Sequence, residues 1–250
     1  MDIERNRCRL YDDLSWIWPL ISPVQEYREE TDLVSALIRE NSLIEPHTLL
    51  HLGCGGGHND FTFKKYFSVT GIDLSPHMLN LARTLNPEVE YFQDDMRTVQ
   101  LESVFDAVVI LDSITYMKTP EELYQAFHTA YEHLREGGIF ITFAEELKDL
   151  FVQNTTHITE RVREPFEIIF IENMYDPDPE DTTFECTFLY LIRENGKLSI
   201  ESDHHLLGIF PHAIWMKTLE EVGFSIEEKK LHLSTFPEEF SLPLFICTKC

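Results

Sequence analysis

The sequence of 250 residues has no apolar run of the length that a membrane-spanning helix needs, about 20 residues. Its first seven residues also lack the basic start and the apolar stretch of a secretory signal peptide. We therefore expect a cytoplasmic protein with no membrane partner. A hydrophobic content of 43% is enough for a full core, so the composition predicts a globular fold rather than a disordered chain.

Basic residues are scarce: 20 Lys and Arg stand against 44 Asp and Glu, which gives a formal charge of −24. A chain this acidic repels the phosphate groups of nucleic acids and anionic membranes. We therefore expect no nucleic-acid partner. Solubility explains most of the charge, and a preference for neutral or cationic small molecules is the more specific interpretation.

Cysteines are few and scattered, and their number, five, is odd. A disulfide framework is therefore not expected. Cys247 and Cys250 form one CxxC pattern at the end of the chain, without a second pair. We predict neither a metal site nor a redox site from it.

Strand and helix patterns alternate between residues 46 and 145, with short turns between them. The predicted strands are Thr48–Leu52, Phe67–Asp73, Glu90–Gln93, Phe105–Leu111 and Ile139–Phe143, and the predicted helices are Asn59–Tyr66, Ser75–Leu85 and Thr119–Arg135. Ser75 and Thr119 stand before prolines as helix N-caps. Glu136-Gly137-Gly138 is predicted to end the last of these helices. This order favours a doubly wound α/β fold with a mostly parallel sheet.

The remaining segments are predicted to complete one domain, residues 1–250. Residues 1–45 form a helical cap, residues 46–145 a cofactor-binding core, and residues 146–210 an antiparallel lid insertion in which Asn195-Gly196 is a hairpin turn. Residues 211–250 return to the sheet with a helix and two strands, 224–232 and 244–248, that form an edge hairpin. The prediction is thus a seven-stranded Rossmann-like sheet with an antiparallel insertion before the last helix.

A glycine-rich turn follows the first strand and reads Gly53-Cys54-Gly55-Gly56-Gly57-His58. Glycines allow unusual φ values and let a ligand approach the main chain closely. The dinucleotide fingerprint requires a third glycine where His58 stands, so NAD binding is disfavoured. Taken alone, the motif also fits an ordinary tight turn.

Polar residues follow the next three strands as well. Asp73, twenty positions after Gly53, ends the second strand and is placed to accept the hydroxyls of a ribose. The segment 94–96, Asp-Asp-Met, follows the third strand and suits an adenine ring. Ser113 follows Leu111 at the end of the fourth strand, beside the point where the strand order reverses. Four such features in order on successive strands are much more specific than any one of them.

With these residues the chain resembles the class I S-adenosylmethionine-dependent methyltransferases, clearly over residues 45–145 and more loosely elsewhere. Within that superfamily it resembles small-molecule N-methyltransferases, especially sugar N,N-dimethyltransferases. The closer resemblance depends on Asp95-Met96-Arg97, Tyr116-Met117-Lys118-Thr119, Glu121-Glu122-Leu123 and His133-Leu134-Arg135-Glu136-Gly137-Gly138, and on the aromatic residues Tyr11 and Tyr27.

The resemblance implies S-adenosylmethionine as the cofactor and S-adenosylhomocysteine as the product. It places the glycines at the methionine part of the cofactor, Asp73 at the ribose, and Asp95 with Met96 at the adenine. The full set of implied cofactor contacts is Tyr11, Tyr27, His51, Gly53, Cys54, Gly55, Gly57, Asp73, Leu74, Met78, Asp94, Asp95, Met96, Leu111 and Ser113. His51 departs from the family, which usually has an acid there to place the cofactor's ammonium group. A neutral His can accept a hydrogen bond, whereas a protonated one repels the ammonium.

The implied reaction is methyl transfer to a small molecule, with an amine nitrogen as the leading acceptor. Tyr116 and His205 are the candidate catalytic residues, because an amine must lose a proton before it attacks. The predicted acceptor contacts are Tyr11, Tyr116, His205 and Phe210. A homodimer is left open.

Two alternatives remain. One is an O- or C-methyltransferase of small molecules, and the other is a catalytically silent cofactor-binding or regulatory protein, which the departure at His51 would favour. Methylation of nucleic-acid bases is disfavoured, because Asp112-Ser113-Ile114-Thr115 lacks the Asn/Asp-Pro-Pro-aromatic run of that class.

Overall fold

The carboxyl ends of six parallel strands meet at one edge of a seven-stranded sheet, and the last strand of the chain runs antiparallel to them. The structure is a computed structural model that describes residues 8–234 and 241–250. The first seven residues, whose composition predicts no signal peptide, lie outside the described part. The strands of this sheet are β1 Thr48–Leu52, β2 Ser68–Asp73, β3 Glu90–Gln93, β4 Phe105–Ile110, β5 Leu134–Phe143, β10 Ser225–Leu231 and β11 Leu242–Thr248. Their order across the sheet is β10-β11-β5-β4-β1-β2-β3.

The predicted doubly wound sheet is confirmed. Strand β4 lies at its centre, and all six of its residues are buried because helices cover both faces. Strand β11 runs antiparallel to both β5 and β10, so the chain's last two strands form the predicted antiparallel edge.

The helices begin close to the residues that the sequence predicts, and some of them end earlier than predicted. They are α1 Trp18–Ile21, α2 Arg28–Asn41, α3 Asp60–Phe63, α4 Pro76–Leu85, α5 Pro120–Glu132 and α6 His212–Val222. Ser75 caps α4 by accepting from the Met78 amide at 3.1 Å, and Thr119 caps α5 by accepting from the Glu122 amide at 3.1 Å. None of the helices in the described part of the chain is long and apolar enough to cross a membrane.

Two predicted helix bounds were wrong. Helix α5 ends at Glu132, and residues 134–138 belong to β5, because Leu134 already pairs with Phe105 across an irregularity in the β4–β5 ladder. Helix α3 is a single turn rather than the predicted Asn59–Tyr66, because the chain turns after Phe63 to bring Ser68 into β2 beside Thr48.

The insertion forms a separate antiparallel sheet of four strands, β6 Thr155–Arg163, β7 Phe166–Tyr175, β8 Thr183–Glu194 and β9 Lys197–Gly208. Asn195 and Gly196 form the predicted hairpin turn with φ values of 50° and 79°. Residues 8–27 pack on this sheet through a cluster that joins Leu10 and Ile17 to Phe170 and Phe188. The cap and the insertion therefore stand together over the carboxyl edge of the main sheet.

Candidate active site

A cavity of about 980 Å³ lies between the carboxyl ends of β1 to β4, the cap and the insertion. Parallel strands place their carboxyl ends at the same edge, which is where open α/β sheets bind ligands. Fourteen of the fifteen predicted cofactor residues line this cavity: Tyr11, Tyr27, His51, Gly53, Cys54, Gly55, Asp73, Leu74, Met78, Asp94, Asp95, Met96, Leu111 and Ser113. The exception is Gly57, which faces the interior, where an added Cβ would lie 2.7 Å from the Tyr91 hydroxyl.

The glycine turn holds its backbone open toward the cavity. Gly53 and Gly55 have φ values of 74° and 53°, in the left-handed region that favours glycine. The amides of Gly53 and Cys54 both donate to the Ile72 carbonyl, at 2.7 and 2.9 Å. A Cβ on Gly53 would overlap the hydroxyl of Ser113, so no side chain fits between β1 and β4 here.

Asp73 is held at the end of β2 by two hydrogen bonds from backbone amides. Its two carboxylate oxygens accept from the amides of Gly55 and Ser75, each at 2.8 Å. Burial raises the pKa of the Asp73 carboxyl, while these two hydrogen bonds oppose that rise. Each oxygen keeps a second lone pair, so the carboxylate is able to accept the two hydroxyls of a ribose.

Asp95 is engaged by its neighbour. The Arg97 guanidinium donates to both Asp95 oxygens, with a shortest distance of 2.6 Å, and also contacts Glu122 on α5 at 2.5 Å. Hydrogen bonding from Arg97 holds the pKa of the Asp95 carboxyl below its ordinary value. Asp94 is more exposed, and among the described residues its carboxylate accepts a hydrogen bond only from the Asp95 amide, at 2.7 Å. Asp94 is therefore the freer of the two carboxylates predicted for the adenine.

His51 pairs with a carboxylate that sequence reasoning did not single out. Its Nδ1 lies 2.6 Å from Oδ1 of Asp60, a fully buried residue of α3. The other oxygen of Asp60 accepts from the Tyr91 hydroxyl at 2.9 Å. The ring of His51 is 2% exposed and lies on the cavity wall. No local signal pointed to Asp60, because the contact depends on how α3 packs under β1.

Three further carboxylates gather beyond the ends of β4 and β5. Burial raises the pKa of Asp112. Burial and the charge of Asp112 raise the pKa of Glu30 to about 8. Glu145 is accessible from the cavity, yet the surrounding protein and the charges of Asp112 and Glu30 raise its pKa well above the ordinary value. The rule that ligands bind at strand ends would have found Asp112 and Glu145, since both stand just beyond a strand.

A hydrogen-bonded chain of four side chains leads away from the cavity. The Tyr11 and Tyr116 hydroxyls lie 3.0 Å apart, and the Tyr116 hydroxyl lies 2.6 Å from Nδ1 of His205. The other ring nitrogen of His205 lies 2.7 Å from Oδ2 of Asp203. Tyr11 and Tyr116 line the cavity, whereas His205 is fully buried behind them. We call these four side chains the relay. The sequence predicted three of them, Tyr11, Tyr116 and His205, and did not predict Asp203.

Residues 49–138 match a family model whose description is a methyltransferase domain. An N,N-dimethyltransferase of dTDP-3-amino-3,6-dideoxy-α-D-glucopyranose from Streptomyces fradiae is 30% identical over 209 residues, which cover 81% of this chain and 79% of that protein. The enzyme from Streptomyces venezuelae that is named for dTDP-3-amino-3,4,6-trideoxy-α-D-glucopyranose is 29% identical over 81% of this chain and 85% of its own length. This chain belongs to the class I S-adenosylmethionine-dependent methyltransferases.

A solved structure supports the same assignment for the whole fold. The crystal structure of Streptomyces venezuelae DesVI superposes with a TM-score of 0.80 at 25% identity, over 95% of this chain and 96% of that one. The predicted enzyme class and cofactor are thereby confirmed, and the alternative of a catalytically silent protein is not supported. As an S-adenosylmethionine-dependent methyltransferase, the chain fits its cofactor in two respects: the glycine turn, Asp73 and the 94–96 segment line one cavity, and carboxylates suited to a cationic ligand line the same cavity.

Two predicted aromatic contacts of this methyltransferase do not reach the cavity. Phe210, predicted as an acceptor contact, is 2% exposed and packs in the core cluster that contains Trp215, because a bridge to Leu147 draws it inward. His205, also predicted as an acceptor contact, is fully buried and lies behind Tyr116. The insertion lines the cavity with other side chains, Phe170, Phe184 and Phe188 among them.

Asp203 is anchored from the cap as well as from His205. Its Oδ2 also accepts from the Leu10 amide at 2.7 Å. Burial alone would raise the pKa of the Asp203 carboxyl, but the hydrogen bonds from His205 and Leu10 outweigh it and hold the pKa below its ordinary value. The signal for Asp203 was present in the sequence, since residues two apart on a strand face the same side of the sheet.

Proposed function

We propose that this methyltransferase transfers the methyl group of S-adenosylmethionine to the nitrogen of a small-molecule amine of the amino-sugar kind. The observation that carries the proposal is the relay, in which two hydroxyls at the cavity wall are backed by a buried His–Asp pair. The names of the relatives, which act on amines of sugars, support the same acceptor class.

The relay suits an acceptor that must lose a proton. If Asp203 accepts from the Nε2–H of a neutral His205, Nδ1 has a lone pair, and the Tyr116 hydroxyl donates to it. The oxygen of Tyr116 then accepts from Tyr11, which is the reverse of the bond in the structure, where the Tyr116 hydroxyl donates to that of Tyr11. When His205 gains a proton, Nδ1 becomes a donor and the direction of both bonds reverses. A proton taken at Tyr11 thus reaches His205 by two short transfers, without a free phenolate.

Burial explains why the tyrosines relay the proton rather than hold its negative charge. Desolvation raises the pKa of Tyr116 well above its ordinary value, and it raises that of Tyr11 too. Both therefore stay as phenols at neutral pH. The base of the relay is His205, and Asp203 orients it and stabilises its protonated form, as in other buried His–carboxylate pairs.

When bound, the cofactor supplies a methyl group already activated on a sulfonium, so the protein's task is to position the nucleophile and to exclude water. The glycine turn, Asp73 and the Asp94–Met96 segment would hold the cofactor. Residues 8–30 of the cap and the insertion would cover the acceptor, since both line the cavity and pack against each other. Arg9 of the cap, which contacts Glu201 at 3.0 Å, is one of the ties between them.

The charge of the cavity supports a cationic acceptor. Among the described lining residues, ten are Asp or Glu and three are Arg or Lys. Arg97 and Arg161 are each paired with carboxylates, Arg161 with Glu26 at 2.7 Å. A cavity lined this way concentrates a protonated amine and supports a small-molecule partner over a polyanionic one.

The test is S-adenosylhomocysteine release from a panel of amines, amino sugars, alcohols, carbon acids and nucleic acids. Turnover of amines supports the proposal, and turnover confined to oxygen or carbon acceptors or to nucleic acid refutes it. His205→Asn should lower the rate on the best amine while cofactor affinity is unchanged. His204→Asn is the matched control, because His204 is the neighbour on β9, pairs with Glu185 and lies outside the relay.

A further inference from the structure

The two ring nitrogens of His51 have different surroundings. Nδ1 lies 2.6 Å from Asp60, and Asp60 is fully buried and does not line the cavity. Within the part of the chain that the structure describes, Nε2 has no protein partner, although the side chain is only 3% exposed. Since His51 lies on the cavity wall, Nε2 is the polar atom that it offers to a ligand.

Asp60 is itself held from the opposite side. The Tyr91 hydroxyl donates to its Oδ2 at 2.9 Å, and the oxygen of Tyr91 accepts from the Asn86 amide at 3.0 Å. The same amide donates to the carbonyl of Gly57 at 2.8 Å, which ties the network to the glycine turn. The single hydroxyl proton of Tyr91 is therefore directed to Asp60, and the remaining oxygen of Asp60 faces His51.

We propose that Asp60 is a positioning residue that keeps the proton of neutral His51 on Nδ1, so that the Nε2 lone pair accepts from the ammonium group of S-adenosylmethionine. A carboxylate only accepts hydrogen bonds, so at this short distance the proton lies on Nδ1, and neutral imidazole then has its lone pair on Nε2. The negative charge of Asp60 thus lies behind the His51 ring, and the ring itself meets the ligand as a neutral hydrogen-bond acceptor. The inference concerns cofactor binding and does not depend on the identity of the acceptor.

Asp60→Asn tests the assignment, because Tyr91 dictates how the new amide is oriented. The amide oxygen must face the Tyr91 hydroxyl, so the amide NH₂ faces His51 and donates to Nδ1. The ring proton is then driven to Nε2, where it meets the ammonium group. Affinity for S-adenosylhomocysteine, which carries the same ammonium group, should fall at least tenfold by calorimetry. Thermal unfolding would show whether the variant is folded.

The double variant Asp60→Asn with Tyr91→Phe is the matched control. It has no hydroxyl proton to orient the amide, so the amide oxygen is free to face His51, and much of the lost affinity should return. Tyr91→Phe alone is the reference for the double variant, since it removes the same hydroxyl while the carboxylate of Asp60 still faces His51. Failure of the double variant to recover affinity, or undiminished affinity in a folded Asp60→Asn variant, would overturn the proposal.

Nitrogen-15 NMR of histidine in the unaltered protein gives a test that needs no variant. At a pH where the ring is neutral, the His51 resonances, assigned by their absence from His51→Gln, should show a protonated Nδ1 and an unprotonated Nε2, with and without S-adenosylhomocysteine. The opposite tautomer, or a doubly protonated ring in the complex, would overturn the proposal. An inactive enzyme that binds S-adenosylhomocysteine with the expected tautomer would instead contradict only the proposed acceptor.

Discussion

His205 and Asp203 lie two residues apart on β9 and face the same side of the insertion sheet, with Nε2 and Oδ2 2.7 Å apart. Their partners come from elsewhere: Tyr116 follows β4, and Leu10 belongs to the cap. The relay is therefore complete only when the cap and the insertion are both docked on the main sheet.

Replacing Asp203 with Asn should slow methyl transfer without loosening the cofactor. The amide cannot stabilise a protonated His205 as a carboxylate does, and general base catalysis contributes about 10²- to 10⁴-fold. We expect kcat to fall by about 10²-fold, with the affinity for S-adenosylhomocysteine unchanged. Glu201→Gln is the control, since Glu201 also binds the cap but does not touch His205. Equal losses of kcat in the two variants would assign Asp203 a purely structural role.

Replacing Asp73 with Asn should weaken cofactor binding. Its two oxygens accept from the Gly55 and Ser75 amides, and an Asn side chain would set an NH₂ group against one of these donors. Loss of charge-assisted hydrogen bonds is worth about 1.5–3 kcal/mol, or roughly tenfold and more in affinity. Calorimetry with S-adenosylhomocysteine measures the loss, with Asp94→Asn for comparison. Unaltered binding would remove Asp73 from the site.

Replacing His51 with Asp should destabilise the protein, although that change would bring the sequence closer to its family. The new carboxylate would face the buried Asp60, now 2.6 Å from the His51 ring. An uncompensated buried charge costs about 3–5 kcal/mol, which urea unfolding would detect. Adding Asp60→Asn should recover most of the loss, because one of the two carboxylates is then neutral. A single variant as stable as the unaltered protein would contradict the pairing.

The stability of the ligand-free protein should fall as the pH rises from about 5 to about 8. Burial and Asp112 raise the pKa of Glu30 to about 8 from an ordinary 4.5, so the folded protein keeps a proton that the unfolded chain releases. The stability linked to that proton is fully present below pH 4.5 and is lost as the pH rises through 8. In thermal unfolding, the stability of Glu30→Gln should decline less steeply with rising pH. Glu40→Gln, at an exposed position of α2, should leave the decline as it is.

Replacing Gly53 with Ala should lower the free energy of unfolding more than replacing Gly196 with Ala. Both glycines have left-handed φ values, 74° and 79°, so each alanine loses about 1–2 kcal/mol to backbone strain. A Cβ at Gly196 meets nothing within 4 Å, whereas at Gly53 it overlaps Ser113. Only Gly53→Ala should therefore also lose affinity for S-adenosylhomocysteine. Equal unfolding free energies for the two variants would show that the turn has room to adapt.

Local patterns predicted the elements well where local forces decide them. The apolar run of β4, the Ser75 and Thr119 caps and the Asn195-Gly196 turn all appear in the structure as expected. The end of α5 did not, because pairing of Leu134 with Phe105 depends on a strand almost thirty residues earlier. Helix propensity alone carries no information about such a partner.

The sequence by itself determined the enzyme class and brought together the residues that we propose bind the cofactor. Parallel strands bring their carboxyl ends to one edge, so residues placed after β1 to β4 are bound to meet there, whatever the details of packing. Only the tertiary structure decided which carboxylate supports His51 and which side chains complete the relay. Tyr11 and Tyr116 are 105 positions apart, and Tyr116 and His205 are 89 apart. Such contacts follow from the packing of the cap and the insertion on the main sheet, which no local pattern in the chain encodes.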